Sequence, residues 1–124
     1  MSDVTPPDCQ IYVDAGISES ELAGLIAQFL LPDVGSAPGY EAEIIPNEDY
    51  DSNRRKQFPG GFIYFRYVID LYLETPAFNE RAALVARLLE GLWAYGFPAV
   101  AACAFEDHLP HGGGYKSRDV PWVS

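Results

Sequence analysis

The residues best suited to chemistry are two histidines that lie three positions apart near the end of the chain. His108 and His111 follow two carboxylates, Glu106 and Asp107, and imidazole with carboxylate is a ligand set that holds zinc. Pro110 separates the histidines, so a helix cannot present both side chains on one face. We therefore expect a polar segment with exposed histidines and neither a metal nor another cofactor.

The glycines of the chain do not complete a catalytic motif. The run His111-Gly112-Gly113-Gly114 superficially resembles the oxyanion loop of lipases, but the Gly-x-Ser-x-Gly elbow that would carry the nucleophile is missing from the sequence. Pro59-Gly60-Gly61 lacks the lysine and the following helix of a phosphate-binding loop. Because no cluster of side chains identifies a reaction, we expect a binding protein and not an enzyme.

The charge balance excludes several classes of partner. The 124 residues include 18 acidic and 8 basic side chains, a formal net charge of -10 at pH 7 with a pI near 4.4. A surface of this sign repels phosphate backbones and anionic lipids, so we expect binding to neither nucleic acid nor membrane. Net charge also keeps small proteins soluble. The acidity therefore indicates either simple solubility or a basic protein partner.

The chain length and the N-terminal residues limit the architectures that are possible. A chain of 124 residues buries enough surface to fold as a single domain, residues 1–124. The sequence has no apolar run of the roughly 18 residues that a membrane span needs, and its first residues lack the basic and apolar regions of a secretion signal. We expect a cytoplasmic protein in which residues 1–8 form a flexible lead-in.

The longest structural signal is an alternating stretch over residues 62–74. Its odd positions, from Ile63 to Leu73, are apolar, whereas most even positions are polar or tyrosine. This period of two predicts a long strand whose odd side chains meet a layer of helices and whose even side chains face outward. Pro46 closes a shorter alternation at residues 40–45 and indicates that this second strand lies near an edge of the sheet.

Two further strands complete the β-structure that the sequence predicts. Residues 9–15 alternate in the same way, and residues 99–105 form a short apolar run that is typical of a buried strand. Cys9 and Cys103 fall on these two strands. Two thiols are too few for a disulfide framework or a structural zinc site, so we expect buried, reduced cysteines.

Capping and spacing signals predict two helices. Ser18 with Glu21 forms a capping box at the start of the first helix, which Pro32 ends before a loop at residues 33–39. The second helix is predicted to begin with Asn79 as its N-cap and to end at Gly96.

The resulting order, β-α-β-β-α-β, predicts an α+β domain with the ferredoxin-like plait. In that fold a four-stranded antiparallel sheet has its first and third strands at the centre and carries both helices on one face. Residues 108–124 are expected to form a flexible C-terminal tail with Trp122 as its one anchor.

The uncovered face of such a sheet is rich in tyrosine and carboxylate, and the chain has eight tyrosines in all. We call this the acidic tyrosine face, and its expected members are Tyr12, Asp14, Tyr64, Arg66, Asp70 and Tyr72, joined by Glu41 and Glu43 of the second strand. Tyrosine is favoured at protein interfaces, although cross-strand tyrosine pairs also stabilise a sheet without any partner. RNA-binding plaits combine such aromatic residues with lysine and arginine, so the charge here has the wrong sign for RNA.

Two alternatives concern the polar segments beside this face. A slip of one residue in the second strand would replace Glu41 and Glu43 by Tyr40 and Ala42. The polar loop at residues 47–61 is either a solvated connection or a contact loop. If it is a contact loop, its candidate contacts are Glu48, Asp49 and Asp51.

The second predicted helix and fourth strand carry a resemblance. Residues 84–115, LVARLLEGLWAYGFPAVAACAFEDHLPHGGGY, are similar to the C-terminal half of small bacterial proteins that occur in toxin and immunity gene pairs, as is the segment IYVDAGI with the capped helix after it. The resemblance implies a small acidic immunity protein that neutralises a cognate toxin. The alternative hypothesis is a ferredoxin-like sensor of small molecules that acts as a homodimer.

Overall fold

The computed structural model describes residues 5–31, 39–74 and 77–123. In chain order the regular elements are β1 (Cys9–Val13), α1 (Glu19–Phe29), β2 (Tyr40–Pro46), β3 (Tyr67–Leu73), α2 (Phe78–Ala94) and β4 (Ala99–Ala102). Short 3₁₀ turns lie at Arg54–Lys56, Gly60–Tyr64, Glu106–His108 and Pro110–Gly114. The predicted helix end at Pro32 and the loop after it up to residue 38 lie outside the described residues.

The strands form one four-stranded sheet in the order β2-β3-β1-β4, and every neighbouring pair is antiparallel. The protein is therefore a mixed α+β domain with an antiparallel sheet and two helices. β1 and β3 lie at the centre, so each of them has hydrogen-bonded neighbours on both sides. β2 and β4 are the edges of the sheet.

The core lies between one face of the sheet and both helices. The odd residues of β1 and β3, among them Ile11 and Ile69, are fully buried in one cluster with Leu22 of α1 and Leu88 of α2. The prediction that odd positions of this stretch meet the helices is confirmed from Tyr67 to Leu73, whereas Phe65 is buried against Trp122 and is not in the cluster with the helices. Each fully buried aliphatic side chain contributes about 1.5–3 kcal/mol through the hydrophobic effect.

The first helix begins where its capping signals predict. The Ser18 hydroxyl accepts a hydrogen bond from the Glu21 amide at 3.1 Å, and the Glu21 carboxylate accepts one from the Ser18 amide at 3.3 Å. These two bonds satisfy amides that a helix start would otherwise leave unpaired. The predicted capping box is confirmed.

The predicted long strand is wrong over its first residues, because Gly60–Tyr64 is a 3₁₀ turn and β3 begins only at Tyr67. The Asn47 side-chain amide donates to the carbonyls of Ile63 at 2.8 Å and Phe65 at 2.7 Å. The Asn47 side chain thus donates to carbonyl groups that would otherwise accept hydrogen bonds from a neighbouring strand. Ile63, predicted to face the helices, is consequently 43% exposed.

Three other predicted boundaries shift by a few residues. β1 ends at Val13, and β4 ends at Ala102 because the Cys103 amide donates to the Glu106 carboxylate at 3.2 Å instead of continuing the ladder. The second helix begins at Phe78, one residue before the predicted cap Asn79. The Phe78 ring packs edge-on against Phe105 at 6.0 Å, a tertiary contact that local capping rules do not include.

The segment predicted as a flexible C-terminal tail has two buried side chains, Val120 and Leu109, and Leu109 belongs to the core cluster. The Trp122 indole donates to the Lys56 carbonyl at 3.1 Å, and its ring lies against Phe58 and Phe65.

Two of the three glycines in this segment, Gly113 and Gly114, cover the β4 edge of the sheet. Gly113 and Gly114 have φ angles of 81° and 95°, and they lie so close to β4 that a Cβ on Gly114 would come within 2.6 Å of the Ala99 carbonyl oxygen. The lipase-like glycine run therefore has a packing role here, because only glycine combines this backbone conformation with so close an approach.

Gly91 of α2 gives a test of the packing between the two helices. A Cβ at this position would lie 2.5 Å from the Phe29 ring of α1, whereas a Cβ on Gly24 of α1 would meet nothing within 4 Å. We expect Gly91→Ala to lower the free energy of unfolding by about 1–3 kcal/mol, because overpacking outweighs the gain in helix propensity. Gly24→Ala should raise it by about 0.5–1 kcal/mol. Urea denaturation measures both, and equal effects of the two substitutions would contradict the packing.

Candidate functional site

The register of the β2–β3 pair brings four members of the acidic tyrosine face together. Glu41 is opposite Tyr72 and Glu43 is opposite Asp70, and side chains opposite each other in an antiparallel pair share a face of the sheet. Glu41 and Glu43 are exposed. The predicted register is confirmed and the one-residue slip is wrong. We call Glu41, Glu43, Asp70 and Tyr72 the β2 acidic surface.

Asp70 is the buried member of this surface. It is 8% exposed, and its carboxylate accepts a hydrogen bond at 2.9 Å from the side-chain amide of Gln10, the residue directly opposite on β1. Gln10 therefore orients a carboxylate that has little contact with solvent. Gln10 is an even position in the alternation of residues 9–15, but it is not among the candidate site residues predicted from the sequence, because an amide side chain on a strand has no signature of its own.

Tyr72 keeps its proton over a wider pH range than an isolated tyrosine. Partial desolvation raises the pKa of its hydroxyl above the ordinary value of 10.0, and the negative charges of Asp70, Glu43 and Glu41 raise it further. A phenolate among these carboxylates would add a like charge, which is unfavourable. At neutral pH the β2 acidic surface thus presents exposed carboxylates beside a protonated hydroxyl.

The other half of the acidic tyrosine face is engaged within the chain. Asp14 forms an ion pair with Arg55 and also accepts a hydrogen bond from the Arg66 amide at 3.2 Å. Its side chain is 8% exposed. Asp14 is therefore a structural anion that holds the polar loop against the end of β1, and it is not a free carboxylate for a partner.

Tyr12 lies beneath aromatic residues from distant parts of the chain. The Phe62 ring packs edge-on against Tyr12, with centroids 5.2 Å apart, and Tyr115 packs on Phe62 at 5.6 Å. Val100, which neighbours Tyr12 across the sheet, is 1% exposed. The expectation of an uncovered sheet face is thus wrong at the end near Tyr12. The sheet is covered there because Phe62 lies in a turn that crosses it, whereas the sequence predicts a strand at this position.

Residues of the polar loop at 47–61 form hydrogen bonds and cation–π contacts with residues close by in the chain. Asp51 accepts hydrogen bonds at 2.9 Å from the amides of Arg54 and Asn53, and these bonds lower the pKa of its carboxyl group below the ordinary value. The Arg54 guanidinium lies over the Tyr64 ring at 5.6 Å.

A second cation–π contact involves a tyrosine that sequence analysis did not select. The Arg66 guanidinium lies 4.9 Å from the centroid of the Tyr50 ring.

Glu48 and Asp49 are exposed. Of the three loop acids proposed as contacts, these two keep free access to solvent, and both follow β2 directly in the chain.

The two cysteines lie side by side and are both reduced. Cys9 is 1% exposed, whereas Cys103 is partly exposed because it lies just beyond the end of β4. A hydrogen bond between the thiols lowers the pKa of Cys103 and, together with burial, raises the pKa of Cys9. Burial is confirmed for Cys9 and only in part for Cys103.

The histidines have aromatic neighbours. His108 packs edge-on against Phe78 at 5.0 Å and His111 against Trp93 at 5.7 Å, and both are exposed as predicted. Among the described residues there is no group of three or more histidine, cysteine or acidic side chains that could hold a metal ion. Over the same ranges neither helix combines the length and the apolar character needed to cross a bilayer.

Comparison of the chain with protein-family models, with curated proteins and with solved structures finds no match.

The Asp14–Arg55 pair gives a stability test. Asp14→Asn removes the charge that binds Arg55 and should lower the free energy of unfolding by about 1–2 kcal/mol, because a charge-assisted hydrogen bond is lost at a largely buried position. The matched control is Asp49→Asn, an exposed change that should stay within about 0.5 kcal/mol of the parent. Urea denaturation gives both values. A result in which the two variants are equally stable would show that Asp14 has no structural role.

The cysteine pair gives a chemical test. We expect iodoacetamide to modify Cys103 in the folded protein, with a rate whose pH midpoint lies below the ordinary thiol value of 9.0, because the thiolate is the nucleophile and its pKa is lowered. Cys9 should react only after denaturation. Mass spectrometry of peptides identifies the modified thiol, and Cys103→Ser is the control. Faster labelling of Cys9 would contradict the arrangement.

Proposed function

We propose that this chain is a non-enzymatic immunity protein that neutralises a cognate basic toxin, of the nuclease kind, by occluding its surface. The observation that carries the proposal is the β2 acidic surface, in which exposed Glu41 and Glu43 lie opposite Asp70 and Tyr72 on an edge strand. The net charge of -10 gives the whole molecule the same sign. A cationic partner is the complement of such a surface.

Encounter and retention of the partner rest on different residues. The net negative charge and the exposed glutamates speed the approach of a basic protein, and this effect weakens as salt increases. Tyr72 provides contact area at a small entropic cost together with a protonated hydroxyl. Glu48 and Asp49, which follow β2 in the chain, extend the negative field beyond the strand.

We also propose that the fold is the ferredoxin-like plait. The proposal is supported by the chain order β-α-β-β-α-β and by the antiparallel order β2-β3-β1-β4. Each helix connects two strands that are separated in the sheet by one other strand. β3 lies between β1 and β2, and β1 lies between β3 and β4, which is the arrangement of a split βαβ unit.

A dimeric sensor is the second candidate, and it has one observation in its favour. A cavity of about 230 Å³ on the sheet face is lined by Phe62, Glu106, Tyr115 and three residues of β4. The same aromatic residues cover part of the sheet surface through which such a plait would dimerise. The immunity hypothesis needs only the β2 end of the sheet, which is exposed, and we favour it for that reason.

Growth rescue tests the proposed function. The gene that neighbours this one is expressed in a bacterial host with and without this chain, and binding of the two purified products is measured by calorimetry. We expect rescue of growth and a complex whose affinity falls as salt increases. No rescue together with no binding would reject the assignment.

Charge reversal tests which surface is used. The double variant Glu41→Lys and Glu43→Lys should weaken binding by at least about tenfold, that is, about 1.4 kcal/mol or more. The matched control is the double variant Glu90→Lys and Asp107→Lys, at two exposed positions outside the β2 acidic surface that change the net charge by the same amount. It changes the net charge but not the β2 acidic surface, so it should retain most of the affinity. A control that loses as much affinity as the double variant would point to net charge alone.

A further inference from the structure

The outer edge of β2 has backbone groups that face away from the sheet. Asn47 donates its amide proton to the Arg66 carbonyl at 2.9 Å, and the Glu74 amide donates to the Gly39 carbonyl at 2.9 Å. Both pairs belong to the β2–β3 register and involve odd residues of the β2 segment. Residues that exchange hydrogen bonds in an antiparallel pair alternate with residues that do not.

The orientation of each β2 residue follows from this alternation. Glu41, Glu43 and Ile45 direct their backbone groups to β3, and Ala42 and Ile44 direct theirs to the open edge. Among the described residues β3 is the only strand that pairs with β2. The edge of β2 therefore presents a row of N–H and C=O groups of the kind that another strand can bind.

The two edges of the sheet differ in this respect. β4 is covered by Gly113 and Gly114, which lie against its carbonyl groups, and the Ala99 carbonyl also accepts a hydrogen bond from the Trp93 indole at 3.0 Å. At β2, the exposed glutamates are the feature that discourages unwanted pairing, since charged side chains protect an edge from aggregation. A partner of opposite charge would remove that protection.

A groove runs between this edge and α1. It has a volume of about 250 Å³ and is lined by Ala23, Ile26 and Ala27 of α1 with Tyr40, Glu41, Ala42 and Ile44 of β2. An adjoining depression of about 370 Å³ shares Ala23, Ala42 and Ile44 and adds Glu19 and Glu43. Small apolar side chains therefore line the floor, and carboxylates flank it.

We propose that the open edge of β2 takes an extended, cationic segment of the toxin as a fifth strand. The inference rests on the proposed function and specifies how the partner is held. Side chains of an added strand alternate between the two faces of the sheet. One set would contact Ala23 and Ala27, which suits apolar residues, and the other would lie beside Glu41 and Glu43, which suits lysine or arginine. Pairing of this kind is a known mode of peptide recognition.

Charge also disfavours a second copy of this chain as the occupant in the register centred on Ala42. If two β2 strands paired antiparallel about Ala42, Glu41 of each copy would lie opposite Glu43 of the other. Like charges directly opposite each other destabilise a strand pair. A cationic segment meets attraction at the same positions, so the edge is selective for a partner of opposite charge.

A synthetic peptide tests this contact without the toxin. The probe is an acetylated and amidated heptapeptide of alternating lysine and valine, and the control peptide has glutamate in place of lysine. Hydrogen exchange of the isotope-labelled protein is followed by NMR. With the lysine peptide at about ten times its Kd, exchange of the Ala42 and Ile44 amides should slow about tenfold, since about a tenth of the sites stay free. The glutamate peptide should leave exchange unchanged.

Two variants make the test specific. Ala42→Pro removes an N–H that points away from β3, so it should abolish peptide binding without breaking the sheet, while Ala42→Ser keeps the N–H and should bind as the parent does. If Ala42→Pro fails to fold, the double variant Glu41→Lys and Glu43→Lys serves instead. It should stay folded and lose peptide binding, because the attracting charge is reversed.

The outcomes separate this inference from the proposed function. Peptide binding that spares the Ala42 and Ile44 amides, or no binding at millimolar peptide, would overturn the fifth strand even if growth rescue succeeds. Rescue by Ala42→Pro equal to that of the parent would overturn it as well. A concentration-dependent dimer in sedimentation that Ala42→Pro abolishes would make a second copy the occupant and overturn the cationic one. Absence of both growth rescue and binding to the neighbouring gene product, with peptide binding intact, would reject the toxin assignment alone.

Discussion

The core and the β2 acidic surface both depend on the double pairing of β3. This strand forms hydrogen bonds with β1 on one side and β2 on the other, so a slip against either neighbour would turn its whole apolar set toward water. Ile69 and Leu71 are fully buried as a result, while Asp70 and Tyr72 are held on the opposite face. The same register that builds the core therefore assembles the β2 acidic surface.

Two polar side chains determine how much of the outer sheet face stays accessible. Asn47 binds the carbonyls of Ile63 and Phe65, and Asp14 binds Arg55 together with the Arg66 amide. These contacts fold the loop before β3 over the outer face of β1, where Phe62 covers Tyr12. The Asp14–Arg55 ion pair thus removes one carboxylate from the accessible surface. The exposed carboxylates of this sheet face are then those of Glu41 and Glu43 on β2.

The two edges of the sheet are protected from unwanted strand pairing in different ways. An unpaired strand edge attracts other chains, and at β4 this edge is covered by Gly113 and Gly114, whose missing side chains allow the close approach. At β2 the edge is exposed and carries glutamates. This asymmetry leaves β2 as the accessible edge among the described residues, with carboxylates on either side of Ala42.

Sequence alone determined whatever depends on neighbours in the chain: the Ser18 capping box, the period of two in β1 and β3, and the edge position of the strand that ends at Pro46. These patterns also placed Glu41, Glu43, Asp70 and Tyr72 on one face. Tertiary structure decided what depends on distant partners. The turn at Gly60–Tyr64, the burial of Asp14 by Arg55 and the cover over Tyr12 arise from contacts between groups 16, 41 and 50 positions apart in the chain. No local periodicity encodes such contacts, because their free energy exists only once the sheet has formed.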